Sequence, residues 1–190
     1  MAFPHDHRTR RLLERERSFS LIFFDGSVHE AIPEFLVACG YRVLARGRIE
    51  GPFDEAYEAL CDIESPSDGV VHKGGCGLPG GTVLLDPEMV LGFGSEDALR
   101  QFCGAHNVCS IVAVWERVSE TVACRELDSL GVRSSTFLLR GEPDGDQLRP
   151  IEGLQRDPTG AGLVTVLDSL GLPVADMFGD VDIAVWRLEE

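Results

Sequence analysis

Three groups of side chains have the chemistry to act on a substrate or hold a partner. Asp25 and Asp86 each close an apolar run that reads as a strand, and His29 follows Asp25 by four residues. Two carboxyls and an imidazole near strand ends are the material of general acid–base catalysis, because ligands of open α/β sheets collect at the carboxyl ends of strands. Caps and turns use the same residue types, so no catalytic residue is assigned; Asp25, His29 and Asp86 are the side chains such chemistry would use. Cys76, Cys103, His106 and Cys109, with His72, carry atoms that bind zinc. The Cys103-x2-His106-x2-Cys109 spacing matches no familiar zinc knuckle, and Cys103 also fits the apolar face of a helix. Buried thiols and a surface histidine account for the set, so neither a metal nor a cofactor is expected.

The third group is a surface. Residues 49–68 hold seven acids and no base. Within them Asp54, Glu58 and Asp62 recur every four residues, with Glu55 beside them, which lines them along one face of a helix that carries Phe53, Tyr57, Leu60 and Cys61 on another. Such a ridge is either a solvated helix face or a docking surface for cations. Trp115, Glu116, Arg117 and Glu120 surround a bend and form a second candidate contact, since Trp and Arg are enriched at interface hot spots. The alternative puts Trp115 in the core and pairs Arg117 with Glu116 or Glu120 across the turn.

Several enzyme signatures are missing. The glycine-rich residues 72–81 lack the G-x-x-x-x-G-K-[ST] order, and they precede a strand instead of joining a strand to a helix N-terminus. No G-x-S-x-G, H-E-x-x-H, CxxC or dinucleotide fingerprint occurs.

The elements that must position these groups follow from periodicity. Residues 109–141 predict three consecutive antiparallel strands at 110–117, 121–127 and 132–140, rich in β-branched residues, with a glycine turn at 128–131. This meander is expected at the centre of the sheet. Residues 18–24 form a nearly continuous apolar strand, which predicts burial on both faces. Ser27 and Glu30 suggest a capping box for a helix over 28–39, with Gly40 as its stop. A strand at 41–46 would then complete a β-α-β unit with parallel neighbours. Helices are predicted over 53–63, 96–105 and 160–170, with strands at 82–85 and 181–188. Residues 65–81 read as a loop rich in Gly and Pro and mark a candidate internal boundary. Residues 141–159 read as a long polar connection.

The 190 residues suffice to bury a real core. The expected organisation is a basic N-terminal arm over 1–17 and one compact domain over 18–190. The fold class is α+β, with a mixed, mainly antiparallel sheet and flanking helices. No apolar run reaches membrane-spanning length, and the first twenty residues are too charged for a signal peptide, so a cytoplasmic location is expected. Six cysteines in such a setting are read as free thiols. Lys73 is the only lysine among 17 basic residues, a bias read as GC-rich coding and hence a bacterial source.

The net charge is −15. Residues 1–20 carry five arginines against Asp6, Glu14 and Glu16, a net +2, which leaves −17 for the rest. That field repels nucleic acid and anionic membranes and favours basic partners.

Two resemblances bear on function. The phrase Leu21-Ile22-Phe23-Phe24-Asp25-Gly26 resembles the nucleophile motif of haloacid-dehalogenase-like phosphatases, but Ser27 stands where that family needs its second aspartate. From Thr82 onward, the layout resembles that of single-domain bacterial proteins, some of which are immunity proteins beside toxins. The shared order is a strand ending in an acid, a short helix, a hairpin with a Trp, a glycine turn and strand, then a Pro-rich link and a final helix. The resemblance implies a small acidic protein that binds and blocks a partner, and it implies no catalytic residue. The leading expectation is therefore an acidic binding module for a basic protein, with an immunity-type inhibitor as its specific form. The alternatives are a small hydrolase or metal-dependent enzyme using strand-end acids, and a ligand-sensing domain whose glycine-rich loop closes over a small molecule.

Overall fold

Phe19–Phe24 (β1) is apolar except for Ser20, and all six residues are buried. Successive side chains of a strand point to opposite faces, so a strand buried throughout must be covered on both. In the computed structural model, which describes residues 18–64, 69–172 and 179–189, β1 is the middle strand of a nine-stranded sheet. The other strands are β2 (Arg42–Pro52), β3 (Val70–Leu78), β4 (Gly81–Leu85), β5 (Ser110–Glu116), β6 (Thr121–Asp128), β7 (Gly131–Leu139), β8 (Glu142–Pro143) and β9 (Asp180–Glu189). Their order is β2-β9-β3-β4-β1-β5-β6-β7-β8, and every pairing is antiparallel. The basic arm expected over residues 1–17 lies outside the described residues.

Among the described residues six helices cover the two faces: α1 (Ile32–Ala38, entered through a 3-10 turn at His29–Ala31), α2 (Phe53–Cys61), α3 (Leu91–Gly94), α4 (Glu96–His106), α5 (Glu152–Arg156) and α6 (Gly160–Ser169). Odd-numbered residues of β1 (Phe19, Leu21, Phe23) join Val83, Leu85, Ala113, Val122 and Cys124 beneath α2, α5 and α6. Even-numbered Ile22 and Phe24 join Leu84, Val112 and Trp186 beneath α1, α3 and α4. On that second face Phe24, Phe35 and Phe102 pack with ring centroids 5.1–6.0 Å apart, a tilted to edge-on cluster favoured by ring quadrupoles. Asn107, at φ 53°, ends α4 in the left-handed region, and both its own N–H and that of Val108 return to the Cys103 carbonyl. No helix among the described residues is long and apolar enough to cross a membrane.

The α+β class holds, and four finer expectations change. The sheet is antiparallel throughout rather than mixed. The meander β5-β6-β7 forms with its strands adjacent, but it lies in one half of the sheet, and the centre belongs to β1. β1 and β2 are not parallel neighbours, because β4, β3 and β9 stand between them. Ser27 does not cap a helix: the chain enters α1 through the 3-10 turn with no side-chain cap, and Pro33 sits in the first turn of α1, where its missing N–H costs nothing.

Residues 70–78 are also strand rather than loop. β3 lies inside the sheet, between β9 and β4. Two of its glycines answer to packing: a Cβ on Gly75 would lie 2.7 Å from the Trp186 ring, and one on Gly74 would lie 2.6 Å from Leu60 and 2.8 Å from Ile183. Large side chains on the two faces need those gaps.

Candidate functional site

Antiparallel pairing decides the fate of the strand-end acids. Leu21 stands opposite Leu85 and Phe24 opposite Thr82. Asp25 therefore leaves the C-terminal end of β1, while Asp86 leaves β4 beside the start of β1, where its N–H donates to the Ser20 carbonyl at 3.0 Å. The two acids lie at opposite ends of one strand pair, roughly 17 Å apart along five residues of strand. Each also has a local task. Asp25 Oδ1 accepts from the Cys109 N–H at 2.6 Å, and the Asp25 N–H donates to the Cys109 carbonyl at 3.1 Å, which extends the β1–β5 ladder by one residue. His29 Nε2 lies 3.2 Å from the Gly75 carbonyl, with its ring 6.0 Å from that of Trp186. Asp25, His29 and Asp86 are not brought together.

Asp86 belongs instead to a buried ionic cluster. The β3–β4 hairpin turns through Pro79-Gly80, with Gly80 at φ 88°, and sets Leu78 opposite Gly81. Counting back along both strands puts Lys73 opposite Asp86. Both side chains are fully buried, and the Lys73 ammonium donates to Asp86 Oδ1 and to Glu88 Oε2. Asp86 Oδ2 accepts from the Leu91 N–H at 2.7 Å, so the same carboxylate also sets the start of α3. Burial by itself would lower the Lys73 pKa, but Asp86 and Glu88 outweigh it and hold the ammonium above its ordinary value. A protonated amine in that position is no nucleophile. Its role is to fix the β3–β4 register and the turn that follows.

The expected zinc-type residues are divided between the faces. Cys76 lies in the core beneath α2, where burial pushes its thiol up to about 12. Cys103 is buried on α4 on the other face, and burial raises its thiol too. His106 packs its ring 4.4 Å from Phe102 and lies 3.9 Å from Glu34. Cys109 sits beside Asp25, and burial, then that carboxylate, raises its thiol. His72 is buried in β3, and burial lowers its pKa. No group of three or more His, Cys, Asp or Glu side chains among the described residues is placed to hold a metal ion.

Asp25 and Cys109 line a cavity of about 190 Å³ with Phe23, Glu126, Arg133 and Leu170. Its charged side chains Asp25, Glu126 and Arg133 are already engaged. Arg133 Nε lies 3.2 Å from Asp128 Oδ2, and Ser134 Oγ donates to Glu126.

The helix that carries the acidic ridge forms, but Cys61, expected on its apolar face, is exposed because it is the last residue of α2 and turns away from the core. Phe53, Ala56, Tyr57 and Leu60 of α2 face the core, Glu55 and Asp62 are exposed, and Asp54 and Glu58 are half-buried. Elsewhere on the surface some acids meet arginine, among them Asp182 with Arg48, Glu189 with Arg42, Glu96 with Arg125, Asp97 with Arg100, Asp128 with Arg133 and Glu152 with Arg156, while exposed Glu64, Asp144, Asp146, Asp168 and Asp180 meet none among the described residues. Asp54, Glu55 and Asp62 have no cationic partner among the described residues.

The hairpin corner stands close to that helix. Tyr57 Oη accepts from the Ser20 N–H at 3.4 Å, and two residues earlier Ser18 Oγ donates to Glu116 at 3.3 Å and accepts from the Arg117 N–H at 3.1 Å. Within the corner the roles differ from a simple hot spot. Trp115 is half-buried against the core. Glu116 accepts from the N–H groups of Val118 (2.9 Å) and Ser119 (2.6 Å) and from the Ser119 hydroxyl. Those donors hold its carboxyl below the usual range, the Ser119 hydroxyl contributing most. Arg117 and Glu120 are the exposed members, with Glu120 in the left-handed region at φ 54°. The corner therefore offers Arg117, Val118 and Glu120 outward, while Glu116 organises the turn.

No protein-family model, curated protein or solved structure matches the chain.

Proposed function

We propose that the chain is a binding module for a basic protein partner, and that the partner is met by α2 and the adjacent hairpin corner. The observation that carries this reading is the uncompensated charge of Asp54, Glu55 and Asp62, gathered at one helix and its end with no cationic partner among the described residues. Unpaired, water-exposed carboxylates lose no internal ion pair when a cation arrives. They also raise the encounter rate with a basic partner, most strongly at low salt. Glu120, at the corner anchored to the start of β1 beside Tyr57, extends the acidic surface. An immunity-type inhibitor that fills the cationic groove of a toxin is the specific form we favour.

The strand-end hydrolase has less support, because Asp25 and Asp86 lie at opposite ends of a strand pair. The ligand sensor built on a glycine-rich loop has less support as well, because residues 70–78 are an interior strand.

The test is a low-salt pull-down from the source cells with the wild-type chain and with Glu55→Lys/Asp62→Lys. A basic protein retained in stoichiometric amount by wild type, released by salt and lost with the variant is the expected result. Equal retention by both, or no basic protein retained by either, would overturn the reading.

A further inference from the structure

The two edges of the sheet are treated differently. β8 ends one side with two residues, one of them Pro143, a form that discourages further pairing. β2 ends the other side with eleven residues, none of them buried, and among the described residues pairs only with β9. Its outer backbone groups form a row with no strand of the described residues against them. A long edge of this kind is a template for another strand.

The sequence of β2 fits one occupant. The ladder to β9 is interrupted at Leu44, between Val43 and Ala45, and beyond Glu50 it ends in Gly51, at φ 144°, and Pro52, which has no N–H to give. The regular stretch between them is Ala45-Arg46-Gly47-Arg48-Ile49-Glu50. Arg46, Arg48 and Glu50 oppose Trp186, Ala184 and Asp182 of β9 and so share one face. Arg48 is neutralised by Asp182 and lies 3.1 Å from Glu50. Arg46 has no carboxylate partner among the described residues, and the Glu50 side chain is 69% exposed.

A second copy laid antiparallel about a two-fold axis at Arg48 puts Arg46 opposite Glu50 of the other chain, and Glu50 opposite its Arg46. Gly47 falls opposite Ile49, where the missing side chain leaves room for the isoleucine. Directly opposed residues share a face, so both ion pairs form on the same side of the joined sheet. On the axis Arg48 meets Arg48 of the other copy, each with its charge already held by its own Asp182, so the contact is self-complementary, as a two-fold interface requires.

We propose that β2 is an interface between two copies of this chain, paired antiparallel about Arg48 into one continuous eighteen-stranded sheet, twice the nine strands of one copy. The proposal does not depend on the partner-binding role of α2.

The test is sedimentation velocity over a wide range of protein concentration, with hydrogen exchange followed at the β2 amides. The wild-type chain is expected to dimerise, with protection of amides in residues 46–50 that grows with concentration. Arg46→Glu or Glu50→Arg alone should raise the dimer dissociation constant roughly ten-fold or more, because the two-fold axis turns two attractive pairs repulsive. Arg46→Glu/Glu50→Arg together should restore dimerisation, since the pairs re-form with exchanged sign and Arg48 keeps a neighbouring carboxylate, now on the other side of it along the strand. That rescue separates loss of the interface from loss of fold. A monomer at every concentration, a dimer indifferent to both single reversals, or a dimer with unprotected β2 amides would overturn the proposal.

Discussion

Lys73 on β3 and Asp86 after β4 face each other at the open end of the hairpin, fully buried and joined as an ion pair. Glu88 accepts a second hydrogen bond from the same ammonium, and the Leu91 N–H donates to the other oxygen of Asp86. One cation thus ties two central strands to the turn that starts α3. Buried ion pairs add little net stability over an apolar replacement, yet removing one partner strands the other charge.

Lys73→Met should therefore destabilise the fold by about 3–5 kcal/mol. Lys73→Met/Asp86→Asn should lose less than Lys73→Met alone, since the amide keeps an acceptor for Leu91 and carries no charge. Glu88, with its side chain 35% exposed, can turn toward water. Chemical denaturation of the two variants measures this, and a double variant at least as unstable as Lys73→Met would show that the pair is not coupled.

The same lysine offers an unambiguous titration, because the chain has no other. Its native pKa lies above the ordinary 10.5. A raised native value means that its contribution to stability is complete below 10.5 and is lost as pH rises through the higher native value. Isotope-labelled lysine should give one side-chain resonance that is still protonated at pH 10.5 in the folded chain. A native midpoint at or below 10.5 would contradict the assignment.

Gly75 makes a separate prediction about packing. Its position against Trp186 leaves no space for a methyl group. Gly75→Ala should cost about 1–3 kcal/mol, the range for overpacking a core. In a Trp186→Leu background the same substitution should cost clearly less. Equal costs in both backgrounds, measured by denaturant unfolding, would mean that Trp186 is not the obstacle.

Much of the fold was legible because its signals are local. The apolar run of β1, the alternation of β6 and β7, and the faces of α2, α4 and α6 all follow from side-chain period. What was hidden depends on partners distant in sequence. The residues Gly74-Gly75 read as loop because glycine is usually conformational. Here it answers to Trp186 and Leu60, which no local pattern reveals. The β3–β4 hairpin did carry a signal in Leu78-Pro79-Gly80-Gly81. Taking that as a two-residue turn would have placed the only lysine opposite Asp86 and exposed the ionic cluster. The place of β2 at the sheet edge could not be read at all, since a strand's neighbours depend on topology. The acidic ridge was legible except for Cys61, while the corner was legible only as a bend: the turn-holding role of Glu116 needed the positions of the Val118 and Ser119 amides.

That role gives Glu116 a pH signature. Its native pKa is below the ordinary 4.5, so its contribution is present above that value and is lost as pH falls through the depressed one. Glu116→Gln weakens the charge-assisted bonds to Val118 and Ser119 and should cost about 1 kcal/mol near neutral pH. The gap between variant and wild type should close in acid. A gap that stays constant from neutral to acid pH would assign the loss to packing and not to the charge.

The cysteines allow the burial pattern to be read chemically. All six are free. Cys61, at the end of α2, is exposed, while Cys76, Cys103 and Cys124 are buried. Burial pushes the Cys76 and Cys124 thiols up to about 12 and raises those of Cys39, Cys103 and Cys109. Thiolate is the reactive species, so raised values and poor access act in the same direction. A thiol reagent at mildly alkaline pH should label one site quickly, and Cys61→Ser should abolish that fast phase. Cys39 and Cys109, half-buried, should follow slowly, and the three core thiols should react only at the rate of global unfolding. Denaturant should then release the remaining thiols together. Fast labelling of Cys76 or Cys124 in the native protein would mean that the face beneath α2, α5 and α6 opens locally, and that the core there is not closed as described.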